Sequence, residues 1–274
     1  SSILFISNIK MLGKEDTAVK GNFLSAMAMF IAVSVTIINV VNPIIVIIGI
    51  GIGALIGSLI ALKVKMTSIP EMVALFNGFG GLATFFIAWS EFNAIPDNVF
   101  QYVLIMLTTY IGGVTFSGSI IAYGKLSEKL KIQKDSIITK LFTTLFYLSI
   151  LFLVYSTALT SFIEIPIDFY KVLLILTLLG GIGFVLPIGG GDMPVVISLL
   201  NSFSGIAAAF AGLLLLNNVL IVAGSLVGAS GLILTVIMAK AMNRSIGNIL
   251  FVGYASTSKS SGSQETGEVK PINV

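Results

Sequence analysis

The sequence contains neither cysteine nor histidine among its 274 residues. The lack of cysteine excludes disulfides, thiolate nucleophiles and iron–sulfur clusters. The lack of histidine removes the commonest metal ligand and the usual proton relay near neutral pH. Charged residues are also scarce, at 10% of the chain, and the net charge of +3 is not accompanied by a soluble basic domain. The composition therefore gives no indication of nucleic-acid binding.

Hydrophobic residues, in contrast, make up 56% of the chain and recur in runs long enough to cross ~30 Å of hydrocarbon. The sequence predicts an all-α polytopic transmembrane helix bundle. Its eight full spans lie near residues 23–41, 43–62, 70–90, 99–122, 138–159, 169–188, 194–216 and 218–239. Ile3–Leu12 is expected to be the end of a partial ninth span. The predicted transmembrane domain covers residues 1–255, and the polar residues 256–274 are expected to form a linker.

The distribution of basic residues predicts how the spans are oriented. If the N-terminus lies outside, 14 of the 15 lysine and arginine residues fall on the inner side, and only Lys171 falls on the outer side. The C-terminus is therefore expected on the cytoplasmic or matrix side. No cleavable signal peptide is predicted, because no basic leader precedes the first apolar stretch.

An internal repeat links two of the predicted spans. Residues 69–86 align without gaps on residues 193–210 at an offset of 124, with identities at Pro70/Pro194, Leu75/Leu199, Asn77/Asn201, Phe79/Phe203, Gly81/Gly205, Ala83/Ala207 and Phe86/Phe210. Proline suits the first helical turn, where no amide donor is missed. We interpret the repeat as two parallel three-helix units, residues 43–123 and 169–240. The spans after the repeated helices carry Ser117-Gly118 and Ser230-Gly231.

Each repeated helix holds one asparagine within an apolar segment. Placing an amide in hydrocarbon costs free energy, so the repeated asparagine indicates a specific role. Asn77 and Asn201 could bond to a neighbouring helix, at a gain of about 0.6–2 kcal/mol each. They could instead line a hydrated passage, with Ser202, Ser204 and Thr84 nearby. Both interpretations stay open from the residues alone. No acidic or basic residue falls well inside a predicted span, so a titrating relay group would have to come from a partner.

Glycine patterns within the spans indicate close helix packing. Gly49, Gly53 and Gly57 recur every four residues and form one smooth helix face. Their spacing does not match a dinucleotide-binding fingerprint, and the segment lies within an apolar span. The last span has a similar set, Gly224, Gly228 and Gly231.

A few charged residues stand at predicted helix ends on the inner side. Asp192 follows three glycines and precedes a helix, where a carboxylate complements the helix dipole. Glu71 has the same ordinary explanation at the start of the first repeated helix. Lys240 and Arg244 close the last span, as topology and C-terminal dipole residues do.

Several of these segments together resemble the membrane domain of the beta subunit of proton-translocating NAD(P) transhydrogenase. The resemblance is carried by residues 190–205 (GGDMPVVISLLNSFSG), 240–245 (KAMNRS), 70–74 (PEMVA) and 114–119 (VTFSGS), and by the Glu-Val segment of the tail. It implies an enzyme in which protons cross the membrane domain while hydride passes between NAD(H) and NADP(H) on soluble domains.

The resemblance also implies roles for particular residues. Asn201 falls on a position of the proton pathway, together with Ser202, and Ser230 and Gly231 lie on the last helix facing it. Asp192 and Arg244 correspond to inner-face residues that couple to the NADP-binding domain, and Glu71 is assigned to the same group. Asn77 stands where many members have a histidine, so the titrating relay is expected on alpha-side helices.

The implied partners are the alpha-side transmembrane helices, the NAD-binding domain and an NADP-binding domain expected to follow Val274, in a homodimer. No cofactor or metal site is expected in this chain itself. The membrane is expected to be the bacterial inner membrane, with the mitochondrial inner membrane as the alternative. A different class, a secondary transporter of a small solute, also suits parallel repeats with polar residues near the midplane. A purely structural membrane anchor is a third interpretation, which predicts dry surroundings for both asparagines.

Overall fold

The computed structural model describes residues 11, 14–38, 43–94, 96, 98–130, 132, 136–159 and 167–255. These residues form α1 (Glu15–Ile38), α2 (Pro43–Lys63), α3 (Ile69–Asn93), α4 (Val99–Leu126), α5 (Ile137–Leu159), α6 (Ile167–Val185), α7 (Met193–Leu214), α8 (Asn218–Ala241) and α9 (Ile246–Ala255). Two 3₁₀ turns, Met66–Ser68 and Gly190–Asp192, directly precede α3 and α7. The described part of the chain contains no strand.

The predicted all-α class is confirmed, since eight of the described helices are long and apolar enough to cross a membrane. Seven of the predicted spans begin and end close to the observed helices. The first differs, because α1 begins at Glu15 instead of residue 23. Backbone hydrogen bonds carry this helix through a polar stretch that hydropathy does not mark. The short helix α9 was not predicted, and Ile3–Leu12 lies almost wholly outside the described residues.

The chain divides into two compact units, Ser1–Ile69 and Pro70–Val274. In the first unit, α2 has no buried residue. An added Cβ at Gly49, Gly53 or Gly57 would meet no described atom within 4 Å. The predicted packing of this glycine face therefore has no partner among the residues that the structure describes.

The second unit is organised around α4, which is its most deeply buried helix and packs against α5, α6 and α7. Hydroxyl groups hold the N-terminal half of α4: Thr109 and Tyr170 are bonded at 2.7 Å, and Tyr110 and Ser149 at 2.9 Å. The Thr177 hydroxyl donates to the Tyr110 carbonyl at 2.7 Å. Because these buried groups satisfy one another, this half of the unit is closed and held together by side-chain hydrogen bonds.

In each of the two antiparallel helical hairpins, α3–α4 and α7–α8, glycine residues form the closest contact between the two helices. A Cβ added to Gly81 would lie 2.7 Å from the Gly112 carbonyl oxygen, so only glycine permits this approach of α3 to α4. In the second hairpin, a Cβ added to Gly205 would overlap the backbone of Gly228 on α8. Such backbone contact is typical of small residues at membrane helix interfaces.

The hairpins correspond residue by residue. Gly78 approaches Ser119, and the equivalent Ser202 approaches Gly231, so positions on α4 map onto α8 at an offset of 112. The two Ser-Gly pairs noted in the sequence are therefore offset by one residue, because Gly231 matches Ser119. The packing faces of the two helices fix this register, whereas a match of two small residues is too short to do so.

Candidate functional site

Asn77 is the centre of a polar cluster that joins three helices. Its amide nitrogen donates to the Ser119 hydroxyl on α4 at 3.1 Å. Its amide oxygen accepts from the Ser204 hydroxyl on α7 at 2.6 Å. Ser119 is fully buried, while Asn77 and Ser204 are half-buried. The repeated helices α3 and α7 thus meet through the asparagine of one and a serine of the other, within otherwise apolar surroundings.

Asn201 has a different environment, although it is the sequence equivalent of Asn77. It is exposed, and it makes no hydrogen bond within the described residues. It lies one turn before Ser204 on α7, because positions three apart are neighbours on a helix surface. Asn201 thus lies one helical turn from the cluster of Asn77, Ser119 and Ser204, and with Pro194 it is one of the two exposed positions of α7.

Ser202 and Gly231 belong to the contact between α7 and α8. Ser202 is fully buried and donates to the Gly228 carbonyl at 2.6 Å, and an added Cβ at Gly231 would press on the Ser202 backbone. Ser230 is exposed and donates to the Val227 carbonyl of its own helix at 3.1 Å. The structure thus brings Ser202 and Gly231 together, and turns Ser230 away from that contact.

Asp192 and Arg244 form an ion pair at the predicted inner end of the second hairpin. The guanidinium nitrogen lies 3.4 Å from the carboxylate oxygen, and the Asp192 side chain is 11% exposed against 49% for Arg244. Asp192 precedes α7 but makes no capping bond to it, so its carboxylate is directed to Arg244. Glu71 is half-buried in the first turn of α3 and has no ion-pair partner within the described residues.

Lys125 was read from the sequence only as a topology residue, but it holds the segment that leads to Asp192. Its ammonium donates to the carbonyls of Val185, Leu186 and Ile188, at the end of α6. The last carbonyls of a helix lack intrahelical partners, and a cation there also complements the helix dipole. A lysine in the last turn of α4 gives no sequence signal that it reaches another helix.

Ser119 is the other residue that the sequence alone did not single out, and Ser204 was noted only as a hydroxyl near the asparagines. Both lie in noted segments, but serine is common in spans and often bonds to its own helix, as Ser117 does to the Gly113 carbonyl. Only the packing of α3, α4 and α7 shows that they share Asn77. No group of three acidic, histidine or cysteine side chains that could hold a metal occurs among the described residues.

These features define an integral membrane protein whose paired transmembrane helices are joined by the polar cluster of Asn77, Ser119 and Ser204. The chain belongs to the NAD(P) transhydrogenase beta subunit family, because the sequence model of that family matches residues 1–274. It is 37% identical over 272 residues to the NAD(P) transhydrogenase subunit beta of Rhodospirillum rubrum, and equally so to that of its strain ATCC 11170. Each alignment covers 93% of this chain and 57% of the relative. The chain thus spans about half the length of the curated relatives it matches.

Proposed function

We propose that this chain is the proton-translocating membrane domain of an NAD(P) transhydrogenase. In this role it couples proton passage to hydride transfer between NAD(H) and NADP(H), which bind to soluble domains outside the chain. Family membership supports the activity. The observation that carries the role of this particular chain is the cluster of Asn77, Ser119 and Ser204, with the exposed Asn201 amide one turn away.

The proposed passage relies on amides, hydroxyls and water. Acidic and basic side chains lie within the first or last two turns of the described spanning helices, so none interrupts their middle. Amide and hydroxyl groups can bind and orient water, but they do not titrate near neutral pH. The titrating group therefore comes from alpha-side helices, and the exposed Asn201 marks the position of α7 that they approach.

The proposed coupling route starts at the Asp192 end of α7. Asp192 is linked to Arg244 after α8, and the preceding segment is held by Lys125 on α4. From Lys125 to Ser119 is six residues of α4, or about 9 Å along the helix. A displacement of the Asp192 segment is thus transmitted through α4 to Ser119 and through α7 to Ser204, and both residues hold Asn77.

The proposed mechanism uses the two links from the Asp192 segment, through α4 to Ser119 and through α7 to Ser204. The occupancy and redox state of the NADP-binding domain move the Asp192 segment and so change which side of the membrane Asn77 and Asn201 face. The partners are the alpha-side helices and the two nucleotide-binding domains, in a homodimer. The basic inner side then faces the bacterial cytoplasm, or the matrix in the mitochondrial case.

Replacement of Asn201 by leucine in the assembled enzyme tests the proposal. The change removes an amide without disturbing a hydrogen bond of the described residues. We expect proton-coupled turnover in proteoliposomes to fall at least about tenfold, which corresponds to about 1.4 kcal/mol on the coupled step. Ser58→Leu on α2 is the matched control, because Ser58 is also exposed and bonds only to its own helix. Unchanged pumping in the Asn201 variant would remove this residue from the passage.

A further inference from the structure

A cavity of about 510 Å³ lies where α8 turns into α9, at the predicted inner end of the second hairpin. Its polar wall consists of Lys240, Asn243, Arg244 and Ser245, and its apolar wall includes Val236 and Ile246. This cavity is separate from the cluster of Asn77, Ser119 and Ser204. It shares only Arg244 with the proposed coupling route.

The backbone around the cavity is fixed by two capping motifs. The Arg244 and Asn243 amides donate to the carbonyls of Ala239 and Lys240, each at 2.9 Å, and Asn243 has a φ of 53°. This is the left-handed helix end that asparagine tolerates. Ser245 then caps α9, because its hydroxyl accepts from the Asn248 amide at 3.1 Å. The cavity is therefore shaped by the chain path itself.

The charge of this cavity is positive. Lys240 is exposed and forms no ion pair within the described residues. Arg244 is about half exposed and uses one guanidinium nitrogen for Asp192, so other donors of its planar fork remain available. A fork of this kind matches the oxygen atoms of a phosphate.

An apolar surface of α8 leads directly to these cations. Ile233, Val236 and Ile237 are exposed, and they precede Lys240 at helical spacing along the same face. Arg244 follows the end of α8 and lines the cavity with Lys240. The surface is thus apolar along the span and cationic at its end. An anionic phospholipid has the same order of parts, whereas a hydrophilic acidic segment would leave the apolar strip uncovered.

We propose that this cavity binds the phosphate headgroup of an anionic phospholipid, with the acyl chains along Ile233 and Ile237. Basic pockets at the cytoplasmic ends of transmembrane helices are suited to such headgroups. Lys240 supplies a point charge, Arg244 supplies directed donors, and the Ser245-capped start of α9 adds its positive helix dipole. The inference is independent of proton translocation, because it concerns binding at a different site.

The test measures lipid binding to the complete, delipidated enzyme by native mass spectrometry, with phosphatidylglycerol and phosphatidylcholine as probes. We expect tighter binding of phosphatidylglycerol, and we expect Lys240→Gln to weaken it about fivefold, the effect of one lysine charge near an anionic lipid. Lys63→Gln is the matched control, since Lys63 is also an exposed lysine in the last turn of a spanning helix. Lys240→Arg keeps the charge and should bind as the unchanged enzyme does.

Three results would overturn the proposal. Equal weakening by Lys63→Gln and Lys240→Gln would mean that the lipid senses only the general surface charge. Displacement of phosphatidylglycerol by inorganic phosphate at equal concentration would mean that the apolar strip contributes nothing and that the site takes free phosphate. Binding that appears only after removal of the NADP-binding domain would mean that a protein segment occupies the cavity in the enzyme.

Discussion

The two hairpins α3–α4 and α7–α8 have the same backbone packing but hold their asparagines differently. Gly81 meets Gly112 in the first hairpin, and Gly205 meets Gly224 and Gly228 in the second. Asn77 is bonded on both sides of its amide, whereas Asn201 is exposed. The repeat therefore preserves how the helices approach each other, and changes what the polar residue between them can do.

The difference comes from two hydroxyl groups. Ser119, which accepts from Asn77, corresponds to Gly231, and Ser204, which donates to Asn77, corresponds to Gly80. Asn201 consequently finds no hydroxyl at either equivalent position. One asparagine is oriented by the protein, and the other is left for water or a partner.

The N-terminal ends of α3 and α7, which we call their entrances, differ as well. A 3₁₀ turn precedes both repeated helices, ending at Ser68 before α3 and at Asp192 before α7. Asp192 is paired with Arg244, and its segment is held by Lys125. Ser68 is uncharged and cannot form such a pair. Among the described residues, only the start of α7 therefore carries an ion pair to another segment.

The largest effect is expected from adding a methyl group to the closest helix contact. Gly205→Ala places a Cβ against the Gly228 backbone, which cannot yield as a flexible side chain can. We expect a loss of about 3 kcal/mol in stability, measured by denaturant unfolding of the purified protein. Gly80→Ala is the control, since a Cβ there meets no described atom within 4 Å. Equal destabilisation by both changes would mean that the contact of Gly205 with Gly228 is no tighter than the open position at Gly80.

The next largest effect concerns the entrance to α7. Lys125→Met removes the ammonium from three carbonyls at the end of α6. We expect a local loss of about 2 kcal/mol, seen as faster amide hydrogen exchange in residues 186–192, together with reduced proton coupling. Lys129→Met is the control, because Lys129 stacks over Tyr123 near the same helix end. Unchanged exchange in the Lys125 variant would remove it from the coupling route.

A smaller effect is expected when the first hairpin is made like the second at Ser119. Ser119→Ala deprives the Asn77 amide of its acceptor on α4 and should cost about 1 kcal/mol. Ser230→Ala should have almost no effect on stability, because its hydroxyl bonds only within its own helix. Thermal unfolding of the two variants measures the difference. If the Ser230 change were the more costly, the bonding assigned to Asn77 would be wrong.

The smallest effect is expected from the ion pair of Asp192 and Arg244. A double-mutant cycle with Asp192→Asn and Arg244→Gln should give a coupling energy of about 0.5 kcal/mol, since Arg244 is half exposed. The same cycle with Glu71→Gln in place of Asp192→Asn should give none. Unfolding midpoints of the four proteins in each cycle provide the energies. A coupling energy for Glu71 and Arg244 as large as that for Asp192 would remove the difference between the two entrances.

Much of the architecture could be predicted from the sequence, because apolar run length follows from bilayer thickness. The boundaries of seven spans were predicted from run length, and the repeat of α3 and α7 was predicted from the ungapped alignment of their sequences. The start of α1 and the short helix α9 were not predicted. Hydropathy reflects how apolar a segment is, and it does not show whether the backbone is hydrogen-bonded as a helix. For the candidate site, both asparagines stood out as amides within apolar spans, whereas Asp192 and Arg244 were singled out by the family resemblance.

The amino-acid order by itself determined the class of protein, the family and the two matched asparagines, since these depend on composition and local pattern. Tertiary structure alone decided that Asn77 is held by Ser119 and Ser204 while Asn201 is uncovered, and that Lys125 supports the segment before Asp192. These partners lie 42, 127 and about 60 residues apart in the chain. Contacts over such separations depend on how helices pack, which no local sequence pattern records.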